Sequence, residues 1–242
     1  MDNYIRNYDS YVQENKAVNV SAAFPALMRK VYLWMSLALV VSGLAAYYVA
    51  GSEQLLTAIY GSRIGFWVLI IAEFGLVIGL SSAIHKLSFP VAASMFALFS
   101  LVNGVTLASI FVLYTMSSIA TTFFVTAGTF AAMAIVGMTT SKDLTKLGGI
   151  FLMALIGIII ASVVNIFLKN SMLDIVISGI GVLIFVGLTA YDAQKIKAMM
   201  LEYGHEVNDM TQKLAVLGAL SLYLDFVNLF LYLLRFLGNR RN

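Results

Sequence analysis

The 242-residue chain contains no cysteine, which excludes disulfides and thiolate metal sites. It has two histidines, His85 and His205, both in connecting stretches without partner motifs, which argues against zinc or serine–histidine chemistry. Only two prolines occur, Pro25 and Pro90, and both stand at the starts of apolar runs, where a missing N–H costs least. Charge is scarce as well: 11% of residues are charged against 61% hydrophobic, whereas a soluble domain carries about a quarter charged and about half apolar. The chain therefore reads as a polytopic, all-α membrane protein with room for one bundle. The net charge of +3 comes without a basic cluster interleaved with aromatics, so no nucleic-acid partner is expected. The first 26 residues are mostly polar and lack an apolar core of signal-peptide length, so the first span is expected to act as an uncleaved anchor.

About 20 apolar residues cross about 30 Å of hydrocarbon. Seven stretches qualify: 31–50, 64–84, 89–114, 119–138, 148–168, 172–194 and 213–238. The expected organisation is a polar N-terminal segment over 1–26 and a single seven-helix domain over 27–242. Ser88 before Pro90 reads as an N-cap, and Asn170-Ser171 with Asp174 reads as a capping box. Gly75 and Gly79 form a small-xxx-small pair that permits close helix packing. The polar connection 195–212, which includes His205, suits a solvated helical loop. With the N-terminus inside, ten of the 15 lysines and arginines fall on the cytoplasmic side and five outside. That asymmetry favours a cytoplasmic N-terminus and an outer C-terminus, unless the last span dips in and returns.

Against this background three acids stand inside apolar stretches: Glu73, Asp192 and Asp225. A carboxylate at the bilayer centre costs about 3 kcal/mol even on lenient scales, so each is a functional-site candidate by default. In the last span Ser221, Asp225, Asn228, Tyr232 and Arg235 follow at offsets of 4, 3, 4 and 3, which places them on one helical face. Such a stripe must turn away from lipid, making this span the most enclosed of the set. In span six Phe185, Thr189 and Asp192 share a face, and in span three Ser100, Asn103 and Thr106 do so in part. Ser100, Asn103, Thr106 and Ser221 read as interhelical glue. If Asp192 and Asp225 approach each other they share one proton, and the pair changes charge within the physiological pH range. Neighbouring cations favour the fully ionised pair, and hard oxygen ligands suit calcium.

The segments Phe185-Val186-Gly187-Leu188-Thr189-Ala190-Tyr191-Asp192-Ala193-Gln194 and Ser221-Leu222-Tyr223-Leu224-Asp225-Phe226-Val227-Asn228-Leu229-Phe230, followed by Leu234-Arg235, resemble the transmembrane Bax inhibitor motif family, the Bax inhibitor-1-like proteins. Glu73-Phe74-Gly75-Leu76 with Leu80-Ser81 resembles its bacterial members. The resemblance extends over all seven spans. It implies a seven-helix fold with the last helix central, in a bacterial cytoplasmic (inner) membrane. It also implies a pH-sensitive calcium leak in which Asp192 and Asp225 act as sensor and gate and hold calcium transiently. Glu73 would then line the ion path, together with Asn228. No tightly bound cofactor is implied, and calcium is the permeant ion. The family pattern places an arginine near the end of span two, paired with the aspartates in the closed state. Here that region reads Ile84-His85-Lys86, so Lys86 or His85 becomes the expected latch partner. The implied partners are the bilayer, calcium and protons, with a membrane protease or another integral membrane protein as a further possibility.

Three other readings use the same acids. An intramembrane aspartyl protease needs Gly-x-Gly-Asp, where this chain has Leu222 and Leu224, and a downstream proline, where none follows Pro90. No enzymatic activity is therefore expected. A proton-coupled cation transporter lacks obvious broken helices here. A regulatory membrane protein that acts by binding partners stays open.

Overall fold

The computed structural model describes residues 2–203 and 206–241, with side chains placed from residue 23 onward apart from those at 63 and 66. His205 lies outside the described residues. Eight helices follow in order: α1 Asp2–Ala50, α2 Glu53–Tyr60, α3 Arg63–Ala83, α4 Phe89–Leu113, α5 Met116–Thr139, α6 Thr145–Leu168, α7 Ser171–Tyr203 and α8 Asp209–Leu237. Among the described residues six stretches are long and apolar enough to cross a membrane: Ala23–Ala50 within α1, and α4, α5, α6, α7 and α8. The apolar stretch Trp67–Ala83 of α3 is shorter. Many large apolar side chains turn outward, as on α6, where Phe167 is 82% exposed. An outer surface of this kind belongs in lipid, so the chain is an integral membrane protein of the polytopic all-α class.

Several local expectations change. Pro25 lies inside α1 rather than before it. The short α2 occupies the stretch between the first two expected spans and is capped by Ser52, whose hydroxyl accepts from Leu55 N at 3.3 Å. The polar connection after 194 is mostly a continuation of α7, which runs on to Tyr203. Ser88 stands at the N-cap of α4, but its hydroxyl makes no cap bond; Phe89 N donates instead to Asp209 Oδ1 at 3.1 Å. At α7 the cap is Asn170, whose side-chain oxygen accepts from Met172 N and Leu173 N at 2.9 and 3.1 Å. The expected box with Asp174 does not form, because Asn170 already satisfies those amides and Asp174 turns toward arginines. Of the glycine pair, Gly79 packs on Met95 while Gly75 faces open space.

The bundle is organised around α8, which packs against α1, α4, α5 and α7. In its most apolar stretch 72% of residues are buried, against 11–33% in the other five spans. Edge-on aromatic contacts fix it: Phe96 and Phe99 of α4 meet Tyr223 at 5.9 and 5.7 Å, and Phe130 of α5 meets Phe226 at 5.5 Å. At its start, the buried Lys213 donates to Leu87 O at 2.8 Å, tying α8 to the turn between α3 and α4. Gln212 at the same end accepts from Lys30. At its finish, Thr115 N donates to Asn239 O and Arg241 N to Leu113 O. So α8 passes through the bundle once, about 43 Å at 1.5 Å per residue, and the chain ends at the opposite end from the α7–α8 connection. A helix that dips in and returns is not what these residues form.

Close backbone approach places the helices beside α8. A Cβ at Gly137 of α5 would lie 2.1 Å from Ala190 O of α7, whereas one at Gly128 on the same helix would meet nothing within 4 Å. Gly137→Ala is expected to destabilise by about 1–3 kcal/mol through overpacking, and Gly128→Ala to leave stability unchanged or slightly raised. Thermal unfolding of the two variants in detergent checks this, and equal midpoints would refute the α5–α7 contact.

Candidate functional site

Between α6, α7 and α8 lies a cavity of about 380 Å³. Ser221, Asp225, Asn228 and Tyr232 of α8 line one wall, Phe185, Leu188 and Asp192 of α7 a second, and Leu155 and Ile159 of α6 the third. The polar stripe expected on the last span therefore faces a cavity rather than lipid. The two aspartates line this one chamber. Asp225 is 5% exposed, and its Oδ2 has no hydrogen-bonding partner. Native proteins leave few buried polar atoms in that state, so the atom calls for a proton or a cation. The Asn228 amide N–H is engaged by Leu224 O at 2.8 Å, which leaves its side-chain oxygen as the group available to a ligand. Lys195, one turn along α7, supplies positive charge at Asp192. Among the described residues no three His, Cys, Asp or Glu side chains cluster as a metal cage. The oxygens here suit a cation that keeps much of its water.

Glu73 is not brought to this chamber. It lies on α3, whose packing is with α2 and α4, and its Oε1 accepts from Asn103 Nδ2 of α4 at 3.3 Å. Asn103 Oδ1 accepts from the Tyr223 hydroxyl at 2.8 Å. The Tyr223 oxygen lies 2.6 Å from Ser42 Oγ of α1, which is also 2.6 Å from Ser100 O. Four helices thus meet in one chain of polar groups around a tyrosine with no exposed surface. Tyr223 and Asp225 are two residues apart, so they point to opposite sides of α8. Sequence reasoning missed Ser42 and Tyr223; the available signal was a tyrosine hydroxyl that needs a partner inside an apolar span. Of the residues read as glue, Asn103 bridges helices; the Ser100 and Thr106 hydroxyls bond within α4 while the carbonyls of these two residues accept from Ser42 of α1 and Tyr60 of α2; and Ser221 lines the acid chamber.

His85 and Lys86 are exposed in the turn after α3, and among the described residues neither pairs with Asp192 or Asp225. The cation that links this turn to α8 is Lys213, which also contacts Asp209 Oδ2 at 3.1 Å. At the far end of the stripe, Arg235 binds Asp174 through both carboxylate oxygens, and Arg240 lies 3.9 Å from Asp174 Oδ2.

A polytopic helical membrane protein whose most buried helix carries an acid into a shared chamber is the class that fold and site define. Residues 25–242 match the family model described as inhibitor of apoptosis-promoting Bax1, and the chain belongs to that family. It is 46% identical over 233 residues to the inner membrane protein YbhL of Escherichia coli (strain K12), covering 96% of this chain and 100% of that one. An uncharacterized protein of Borreliella burgdorferi is 46% identical over 232 residues, covering 95% and 97%. The uncharacterized protein RP147 of Rickettsia prowazekii is 41% identical over 215 residues, covering 89% and 90%.

The tyrosine-centred chain makes a stability prediction. Tyr223→Phe leaves Asn103 and Ser42 short of a partner in the core and is expected to cost about 1–3 kcal/mol. Ser42→Ala in the same chain should then add less than it does alone, a non-additivity readable by thermal unfolding of the four variants in detergent. Strict additivity would show that the two hydroxyls are not coupled.

Proposed function

We propose that this chain is a seven-span cation leak, calcium foremost, controlled by protonation of the Asp192–Asp225 pair. The observation that carries the reading is Asp225 Oδ2, buried without a partner in the chamber that Asp192 also lines. Two carboxylates in one low-dielectric chamber do not both ionise comfortably without a cation between them. A proton and a divalent cation therefore compete for the same oxygens. Ser221 and Asn228 add oxygens that let an ion exchange part of its hydration shell, and the small number of protein ligands keeps it from being trapped. No covalent step is required, so the reading is not enzymatic.

α3 serves as the seventh span, since its 21 residues extend about 31 Å, the thickness of the hydrocarbon core. The excess of lysine and arginine at the end that holds the α3–α4 turn and the start of α8 supports a cytoplasmic location for that end. The printed name of YbhL supports placement in a bacterial inner membrane. Glu73, bonded to Asn103, acts at a distance from the chamber in this reading, through the helix contacts it makes.

Calcium binding needs the ionised pair, so apparent affinity rises with pH and is lost as the pair takes up its proton, each bound ion releasing protons. Calcium influx into dye-loaded proteoliposomes is expected to depend on pH between about 6 and 8, and to lose that dependence in Asp225→Asn and Asp192→Asn. Unchanged pH dependence in both variants rules out the pair as sensor. Flux no greater than in empty liposomes at any pH would favour a regulatory role through binding a membrane protease or another integral membrane protein.

A further inference from the structure

The stripe on α8 does not end at the acid chamber. One turn beyond Tyr232 it reaches Arg235, which lines a second cavity of about 300 Å³ with Ser162 and Asn165 of α6 and Asp174 of α7. This outer cavity is polar and lies at the end of the bundle that carries the C-terminal tail. All three helices therefore line both cavities. On α6 the order is Leu155, then Ile158 and Ile159 on adjacent faces, then Ser162; on α7 it is Asp192 and Phe185, then Ile184 and Ile177, then Asp174.

The layer between the chambers is apolar. Ile158, Ile177 and Ile184 are each 5% exposed or less and pack together with Tyr232. The Tyr232 ring stacks on Phe185 with centroids 5.7 Å apart and planes 25° apart. It also lies directly over Gly181, where an added Cβ would fall 2.4 Å from the ring, so glycine is what lets the ring enter the helix interface. The Tyr232 side chain thus lines the acid chamber on one side and packs on the isoleucine cluster and Gly181 on the other. An apolar constriction of this kind blocks ions by excluding water, with no charge needed.

We propose that the Phe185–Tyr232 stack, seated on Gly181 and backed by the three isoleucines, is the barrier that closes the acid chamber toward the C-terminal end of the bundle. It is an access-determining element for the leak described above and rests on that reading. Tyr232 is the residue whose departure would join the two cavities, because its ring fills the α7–α8 contact at Gly181 and Phe185. Arg235, held by Asp174, fixes the last turn of α8 and with it the position of Tyr232.

The absence of cysteine from the chain permits a test that does not depend on ion flux. Single cysteines are placed at Ser221 in the acid chamber and at Ser162 in the outer cavity. A membrane-impermeant thiol reagent is then added to vesicles from the face bearing the C-terminus. Ser162→Cys should react in every background. Ser221→Cys should be protected with Tyr232 intact and in Tyr232→Phe, which keeps the ring, and should react faster by about tenfold or more in Tyr232→Ala. Gly181→Ala, which displaces the ring without removing it, should also raise the rate. Reaction of Ser221→Cys with Tyr232 intact overturns the barrier, as does continued protection in both Tyr232→Ala and Gly181→Ala while Ser162→Cys reacts. An unreactive Ser162→Cys overturns it too, because the outer cavity would then not be open to water. If labelling follows the expected pattern but liposomes show no calcium flux, the barrier stands and the leak reading falls. Flux with Ser221→Cys already reactive gives the reverse.

Discussion

A helix that carries an aspartate, an asparagine and an arginine through hydrocarbon can exist only if other helices enclose it. That constraint organises the molecule. α8 carries a polar stripe from Ser221 to Arg235 and is the most buried span, and neighbouring helices turn aromatic residues toward it. Gly137 against Ala190 brings α5 onto α7, and Gly104 against Ser42 brings α4 onto α1, so that both helix pairs close around the central one. The outward surfaces of α3 and α6 can then be almost wholly apolar. Hydrophobic burial contributes little to association inside a bilayer, because lipid tails are as apolar as leucine. Close packing and the satisfaction of α8's polar groups are what remain.

Those polar groups divide into two sites with opposite character. On the α1–α4 side, Tyr223 sits in a hydrogen-bonded chain with Ser42, Asn103 and Glu73, and aromatic edges surround its ring. On the α6–α7 side, Asp225 presents an oxygen with no protein partner to a chamber large enough for an ion and its water. The first arrangement is what a structural contact requires, and the second is what a structural contact avoids. Because the two lie back to back on one helix, the satisfied side holds α8 in register while the unsatisfied side stays available to a ligand. Substitutions on the two sides should accordingly be felt in different measurements, stability on one and ligand or proton response on the other.

Much of the architecture was legible from residue spacing alone. Asp192 and Asp225 were singled out because ionisable groups in apolar runs are costly, and the offsets of the α8 stripe showed that it needed an interior face. Other features had no local signature. The Ser42–Tyr223 contact joins residues 181 positions apart, and nothing near either residue marks its partner. Lys213 stands at the edge of an apolar run with no local sign of a partner, yet it is buried against the carbonyl of Leu87. The latch expected from His85 or Lys86 rested on nearness in sequence to the end of α3, but α3 packs on the side of α4 away from the acid chamber. Asp174 had the right spacing for a capping box; the competing amide of Asn170 and two arginines from the distant C-terminus decided its role.

The order of groups along α8 has a physical consequence that the acids alone do not. From its N-terminal end the helix presents a hydroxyl, a carboxylate, an amide, an aromatic ring and a guanidinium at intervals of one turn. The first three line the acid chamber, the ring packs on Phe185 and Gly181, and the guanidinium is anchored by a carboxylate on the neighbouring helix. A uniform polar stripe would make a continuous wet path, and a uniform apolar one would make a sealed bundle. In the proposed reading, interrupting the stripe once, at Tyr232, separates the acid chamber from the cavity at the other end. Opening it would then take the movement of one ring away from a glycine, two turns along α8 from Asp225.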